Sequence, residues 1–378
     1  METRTDSPGN AGNNRRGFLK TSLAAGAIGA LQQSPTLAAP HPVVQPRKPV
    51  IEEHDPNNIK LAHRVPSGAS DEELLFLQQI GLRWARVELQ ASESEYDALS
   101  KVQKRFQSYG LRIFSAMHPA YRSLRIQLGQ KGRDDDIEQY RTFLRNCGRL
   151  GIPLANYDFH PGNTYTTATV KRRGYLAREF NLKDFRTRVE KQRFDRRYDA
   201  KAIWETYTYF FRAVLPVAEK ADVRLGLHPD DPPVPMMNGV AKIFTHYDGY
   251  RQAEELAGQS RHWGLTFCVG TWSEGGKAMG KDLFEMIHDF GKRRKIFDVH
   301  FRNVSAPLPH FQETFPDDGY LDMYRVMREL RAVGFDGAME PDHVPQLAGD
   351  KGIRPAGTAY CIACMRSYLR RANEEVGG

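Results

Sequence analysis

Four short apolar runs in this chain end on residues that bind metals: Val223-Arg224-Leu225-Gly226-Leu227-His228, Leu265-Thr266-Phe267-Cys268, Ile296-Phe297-Asp298-Val299-His300 and Gly337-Ala338-Met339-Glu340-Pro341-Asp342. They recur about every 30 to 45 residues, the length of one strand and one helix in a βα unit. Taken singly, each terminal residue has an ordinary reading. A lone histidine is usually a satisfied structural residue, a lone cysteine a small buried hydrophobe, and an aspartate before a loop a helix cap. Their shared place at strand ends decides otherwise. Consecutive parallel strands deliver such side chains to one mouth of a barrel, where barrel active sites are built. Two imidazoles, a thiolate and a carboxylate suit a borderline divalent ion such as Mn²⁺, Fe²⁺, Co²⁺ or Zn²⁺. The residues therefore predict a metal-dependent barrel enzyme.

Outward from these runs, strand-like and helical segments alternate along the chain. Strands are expected at 58–65, 84–89, 111–117 and 152–159, ahead of the four that carry the proposed ligands. Helices are expected near 70–80, 92–109, 134–150, 199–221, 247–257, 281–290, 320–333 and 359–373. Ser70 before Asp71-Glu72-Glu73 is a helix-opening signal. Eight such units make an α/β fold, a TIM (β/α)8 barrel, as a single domain over residues 58–378. One connection breaks the rhythm. The segment 160–199, with Tyr165-Thr166-Thr167 and Lys171-Arg172-Arg173-Gly174-Tyr175, is a long loop after strand 4 and is read as a lid or substrate clamp. Asp230-Asp231-Pro232-Pro233 stiffens the rim after His228, with Asp230 and Asp231 read as capping residues.

Composition sets the limits on function. The chain has 378 residues, 40% hydrophobic and 26% charged, ample for a large core. Its net charge of +8 comes from 54 basic and 46 acidic residues, much of it in short runs such as 171–173, 186–197 and 292–295. Those runs lack interleaved aromatics or a binding motif, so solvated helix faces are the better reading and no nucleic-acid partner is expected. The expected partner is a small anionic substrate, together with a homo-oligomeric assembly.

The N-terminus carries an address. Asn13-Asn14-Arg15-Arg16-Gly17-Phe18-Leu19-Lys20 precedes a mild apolar stretch at 21–31 and small residues suited to cleavage near Ala38 or Ala39. Paired arginines followed by Phe-Leu-Lys resemble the bacterial twin-arginine export signal, which predicts a signal peptide at 1–39 and a periplasmic or exported protein. The stretch is too short and too rich in Gly and Ala for a stable membrane anchor. Residues 40–57 read as a Pro-rich linker or arm. Four cysteines in an exported protein could pair, but Cys268 is wanted as a thiolate, and Cys361 and Cys364 lie within a helix, where they suit core packing.

The stretch Leu227-His228-Pro229-Asp230-Asp231-Pro232-Pro233 resembles the mannonate dehydratase family, which carries a His-Pro-Asp-Asp-Pro-Pro motif. Thr266-Phe267-Cys268-Val269-Gly270, His300-Phe301-Arg302-Asn303 and Pro341-Asp342-His343 are similar to its other site motifs, in the same order. The resemblance covers about 152–369 and implies a xylose-isomerase-like TIM barrel. It implies that the chain removes water from D-mannonate to give 2-keto-3-deoxy-D-gluconate with Mn²⁺ or Fe²⁺. It also implies His228, Cys268, His300 and Asp342 as ligands, the set already read from the strand ends. Two positions depart from the family pattern. Glu340 stands where the family usually has Arg, and Tyr360 is the nearest counterpart of the family's catalytic tyrosine.

The chemistry asks for three kinds of group. Dehydrating a 2,3-dihydroxy acid needs a base for the C2 proton, an acid for the departing 3-hydroxyl, and a cation for the charge that develops. Asp342, His343 and Tyr360 are the expected catalytic groups. Arg302 and His160 are the expected substrate-binding residues, with Arg302 holding the carboxylate unless it is taken by an acidic residue of the rim. The alternatives are a sugar or sugar-acid isomerase or epimerase on the same barrel, and a non-catalytic periplasmic binding protein for a sugar acid.

Overall fold

A computed structural model describes residues 51–161, 166–258 and 260–376. The expected signal peptide, and the linker up to residue 50, lie outside the described residues. So do Tyr165 and the residues just before it.

Eight parallel strands close a barrel. In chain order the strands are β1 (Lys60–Pro66), β2 (Trp84–Glu88), β3 (Arg112–Met117), β4 (Leu154–Tyr157), β5 (Ala168–Arg172), β6 (Tyr175–Asn181), β7 (Arg224–Leu227), β8 (Met236–Met237), β9 (Val240–Ala241), β10 (Trp263–Cys268), β11 (Ile296–His300), β12 (Asn303–Val304), β13 (His310–Thr314) and β14 (Ala338–Glu340). The barrel runs β1-β2-β3-β4-β7-β10-β11-β14 and closes back on β1. Each barrel strand pairs with the next barrel strand in sequence, the outcome of right-handed βα crossovers. This is the TIM barrel expected from the alternation of segments.

The helices follow their sequence signals. Ser70 caps Asp71–Gln79 in a reciprocal capping box with Glu73. Asp199 caps Ala200–Lys220, and Asp282 with Glu285 boxes Leu283–Lys292. Tyr140, Phe143, Phe159, Tyr207 and Phe210, all buried, interlock between helices Arg133–Leu150 and Ala200–Lys220 and the strands beneath. The four cysteines, Cys147, Cys268, Cys361 and Cys364, are free. Among the described residues no helix is long and apolar enough to cross a membrane.

The barrel interior is layered. Ala62, Phe114, Leu154, Phe297 and Ala338 form an apolar plug toward the strand N-termini. Register skips beside Phe114 and Phe297 let these rings turn inward together with their neighbours Ser115 and Asp298. A polar layer follows. Asn156 Nδ2 donates to Thr266 Oγ1 at 2.7 Å and to Asp298 Oδ2 at 2.9 Å. Above that layer the strands end level: Cys268 is opposite His300 and His300 is opposite Glu340. The plug shuts one end, so any ligand enters at the other.

The segment expected as a long loop carries a β-hairpin. β5 and β6 form a hairpin through Arg173 and Gly174, both at positive φ (46° and 89°), the conformation of a type I′ two-residue turn. β6 pairs with β13, which pairs with β12, giving a four-stranded sheet beside the strand C-termini. A hydrogen-bonded sheet therefore stands where a lid or substrate clamp was expected.

Candidate metal centre

His228 directly follows β7, where its amide donates to the Tyr157 carbonyl at 2.8 Å. Its Nδ1 lies 2.7 Å from the Pro229 carbonyl, which fixes the proton on Nδ1 and turns Nε2 inward. That Nε2 is 3.1 Å from His300 Nδ1. Cys268 ends β10 and caps the helix Val269–Gly275. Its sulfur accepts from the Thr271 amide (3.4 Å) and hydroxyl (3.1 Å) and lies 3.6 Å from Arg302 Nη2. The donor atoms of His228, Cys268 and His300 all lie within 4.8 Å of one another. Asp342, two residues beyond β14, brings Oδ2 to 3.7 Å from His300 Nδ1.

Electrostatics favour the ionised thiolate and carboxylate, while His300 is held as an imidazolium that gives up its proton to take an ion. Burial alone would raise the Cys268 thiol, but Arg302 and the two histidines outweigh it and hold the thiol well below its ordinary value. Burial is likewise outweighed at Asp342, where His343, His300 and Arg302 keep the carboxyl ionised. Burial opposes charge on His300, yet Asp342, Cys268 and Glu340 raise it to about 10. The far nitrogen of that ring, Nε2, is 3.1 Å from Glu340 Oε1, and Arg86 Nη1 is 2.8 Å from the same oxygen. A carboxylate behind a histidine orients its ring and raises its basicity as a ligand. The N, N, S and O donors, with thiolate and carboxylate already ionised, fit a divalent ion. A second group, Asp298, His300 and Glu340, also lies close enough to share an ion. There Asp298 is already bonded to Asn156, and Glu340 to Arg86.

A cavity of about 260 Å³ opens beside the donors, lined among others by Arg64, Arg122, Asp158, His160, His228, His300, Asp342 and His343. His160 Nε2 is 3.2 Å from Asp158 Oδ1, and burial pushes this imidazole down to about 3, so it is neutral. Asp158 Oδ2 accepts from Tyr121 Oη (2.8 Å) and from Arg122 Nε (2.9 Å) and Nη2 (2.5 Å). His343 Nδ1 is 2.8 Å from Glu313 Oε1, and its Nε2 is 3.8 Å from Asp342 Oδ1.

Two of the expected site residues lie away from the cavity lining, Arg302 in the rim-acid alternative that the sequence left open. Arg302 does not face the cavity. Its side chain is fully buried and binds Glu274 closely, Asp231 Oδ2 at 3.0 Å, Asp342 Oδ2 at 3.2 Å and Glu313 Oε1 at 3.3 Å. With four carboxylates around it, no donor is left for a substrate, and Arg302 instead positions Asp342 and Cys268. Asp231, expected to cap, belongs to this ion cluster. Tyr360 is absent from the cavity lining. It is carried on the C-terminal helix Pro355–Val376, packs on Phe315, and donates its hydroxyl to Asp317 Oδ2 at 2.6 Å.

The sequence reading missed the basic wall. Arg64 on β1 and Arg86 on β2 occupy inward positions by simple alternation, and Arg122 follows β3. The strand-end rule that found the metal donors does not reach them; inward alternation within β1 and β2 is the signal that marks Arg64 and Arg86.

The description D-mannonate dehydratase (UxuA) belongs to a family whose model matches residues 176–373, just over half of the chain. Mannonate dehydratase of Streptococcus pneumoniae (strain 70585) is 29% identical over 283 residues, covering 67% of this chain and 76% of its own. The crystal structure of mannonate dehydratase from Streptococcus suis serotype 2 superposes with a TM-score of 0.75 at 26% identity, over 85% of this chain and 96% of that one. A xylose isomerase domain protein from Planctomyces limnophilus, 9% identical with a TM-score of 0.55 over 83% of this chain and 98% of its own, shares the barrel alone. With its strand-end donors, its closed barrel and a family match over half its length, this chain belongs to the D-mannonate dehydratase family.

Proposed function

We propose that the protein removes water from a sugar acid, converting D-mannonate to 2-keto-3-deoxy-D-gluconate. In this reading His228, Cys268, His300 and Asp342 hold Mn²⁺ or Fe²⁺, and Co²⁺ or Zn²⁺ suits the same donors. One observation carries the reading: the donors of His228, Cys268 and His300, from three consecutive barrel strands, cluster beside a cavity, with Asp342 past the next strand 3.7 Å from His300, in a chain of this family. A bound divalent ion supplies Lewis-acid stabilisation of the negative charge that grows on the substrate as C2 loses its proton.

The chain's own groups do the rest. Glu313 keeps the proton of His343 on Nδ1, leaving Nε2 as the base for the C2 proton. The resulting imidazolium can then protonate the departing 3-hydroxyl, so one residue serves both transfers. Across the cavity His160, Asp158 and Arg122 offer donors and acceptors to the remaining hydroxyls. Tyr360 takes no part, because its hydroxyl is bonded to Asp317 outside the cavity.

Metal-reconstituted protein given a panel of aldonates should yield a new α-keto acid with solvent deuterium at C3, read by mass spectrometry. A product of unchanged mass with deuterium in its carbon skeleton would overturn this in favour of an isomerase or epimerase. Binding without any turnover would point to a sugar-acid binding protein.

Export is proposed on the N-terminal residues alone. Exchanging Arg15 and Arg16 together for lysine should hold the enzyme in the cytoplasm, as followed by cell fractionation. A distribution unchanged by the exchange would rule out the twin-arginine route.

A further inference from the structure

We infer that a second anion-binding subsite adjoins the metal cavity, and that the substrate carries a second acidic group at its end remote from the metal. This rests on the sugar-acid dehydratase reading above and narrows its substrate class: D-mannonate, with one acidic group, would be turned over, and a related acid with a second terminal acidic group would be preferred. The subsite is a cavity of about 370 Å³ that shares Arg64, Glu88 and His343 with the cavity at the metal donors. The two cavities therefore adjoin across these three side chains.

Three guanidinium groups from separate segments meet there: Arg64 from β1, Arg178 from β6, and Arg354 from the turn ahead of the C-terminal helix. Their opposing charges are partly engaged elsewhere, though Arg64 Nη1 also stands 3.7 Å from Asp342 Oδ1 and Arg354 Nη1 donates to the Val344 carbonyl. Glu73 is occupied by the amides of Ser70 (2.9 Å) and Ile353 (3.1 Å). Glu88 stands 3.6 Å from Arg64, and Arg178 Nε is 3.7 Å from Glu313 Oε2, both long for an ion pair. Glu313 itself already serves His343 and Arg302.

The arrangement is costly without a ligand. Burial, and then the like charges of Arg178 and Arg64, push Arg354 below the ordinary arginine value. Its backbone sits at φ 53°, a region non-glycine residues seldom occupy. His63, buried in the same wall, has an Nδ1 with no hydrogen-bond partner, and burial pushes it down to about 4, so it is neutral. A neutral imidazole and three forked cations around one space are what an oxyanion needs. A terminal carboxylate, as in an aldaric acid, and a terminal phosphate, as in a phosphorylated aldonate, share that chemistry.

The test compares kcat/KM of the Mn²⁺-loaded enzyme for D-mannonate, for the aldaric acid of the same configuration and for the 6-phosphate of D-mannonate. At least one of the two doubly acidic substrates should be preferred by roughly tenfold or more, the scale of one added charge-assisted interaction. Whichever is preferred more strongly identifies the acidic group. Arg178→Gln and Arg354→Gln should each shrink that preference, with folding checked by thermal melting. If D-mannonate is turned over and neither doubly acidic substrate is preferred, or the preference survives both substitutions, the subsite is refuted and the dehydratase reading stands. If none of the three acids gives a keto acid, the dehydratase reading fails. The subsite is then judged alone, by titrating inorganic phosphate into the wild type and Arg178→Gln. Binding confined to the wild type supports it, and equal or absent binding overturns it.

Discussion

Arg302→Met should destabilise the protein by about 3–5 kcal/mol, the cost of leaving buried charge without its partner. Arg302 is the one cation bonded to Asp231, Glu274, Glu313 and Asp342 together, and all four carboxylates are buried. Methionine fills the volume but leaves like charges facing one another in a dry interior. The Cys268 thiol, held low chiefly by Arg302, should lose much of its thiolate character. Urea denaturation reads the first effect, and the pH dependence of thiol alkylation in the metal-free protein reads the second. Arg302→Lys keeps the charge and loses the fork, so it should fall between the two. A methionine variant as stable as the wild type would show that the cluster is not held by this guanidinium.

His343→Gln should lower kcat by about 10²- to 10⁴-fold, the size of a lost general acid or base. Glutamine can still reach Glu313 with a side-chain amide, but it offers no basic nitrogen. Metal content and melting temperature should stay near wild type, which separates a lost proton carrier from a damaged site. Tyr360→Phe is the matched comparison. It removes a hydroxyl bonded to Asp317 outside the cavity, and turnover should be near wild type. Full activity in His343→Gln would remove this residue from the mechanism.

The barrel was legible because parallel strands buried on both faces are short apolar runs, and because each helix opens on a side chain that caps it, as Ser70 does with Glu73. The placement of His228, Cys268, His300 and Asp342 was legible for the same reason, since a strand end has a fixed place in this architecture. Arg302 was not. Whether an arginine two residues past a strand turns to the cavity or to the wall depends on Glu274 and Glu313, which reach it only through the tertiary fold. The displacement of Tyr360 is of the same kind, because the start of the last helix sets its direction. Arg64 and Arg86 were passed over because charged residues within strands look like surface. Here Arg86 is buried against Glu340, and the position that departs from the family pattern has its counter-charge in β2. The hairpin of β5 and β6 did carry a local sign, the Arg173-Gly174 turn, hidden within a run of basic residues.

The sheet over the barrel mouth also bears on the order in which this molecule assembles. Its β5–β6 hairpin precedes β7, whereas β12 and β13 follow β11. The hairpin can form early by itself, but its pairing with β13 has to wait for three intervening barrel strands to be laid down. Its ties to the segment after β13 are polar and apolar alike: Arg172 and Tyr175 to Asp318, Arg173 to Asp317, and the Tyr175 ring edge-on to Phe315. The hairpin is therefore among the last parts of the molecule to be tied in place. The cage of donors, on the last four barrel strands, is likewise complete only when β14 closes the barrel on β1. Sheet and cage are thus finished together, by the C-terminal half of the chain.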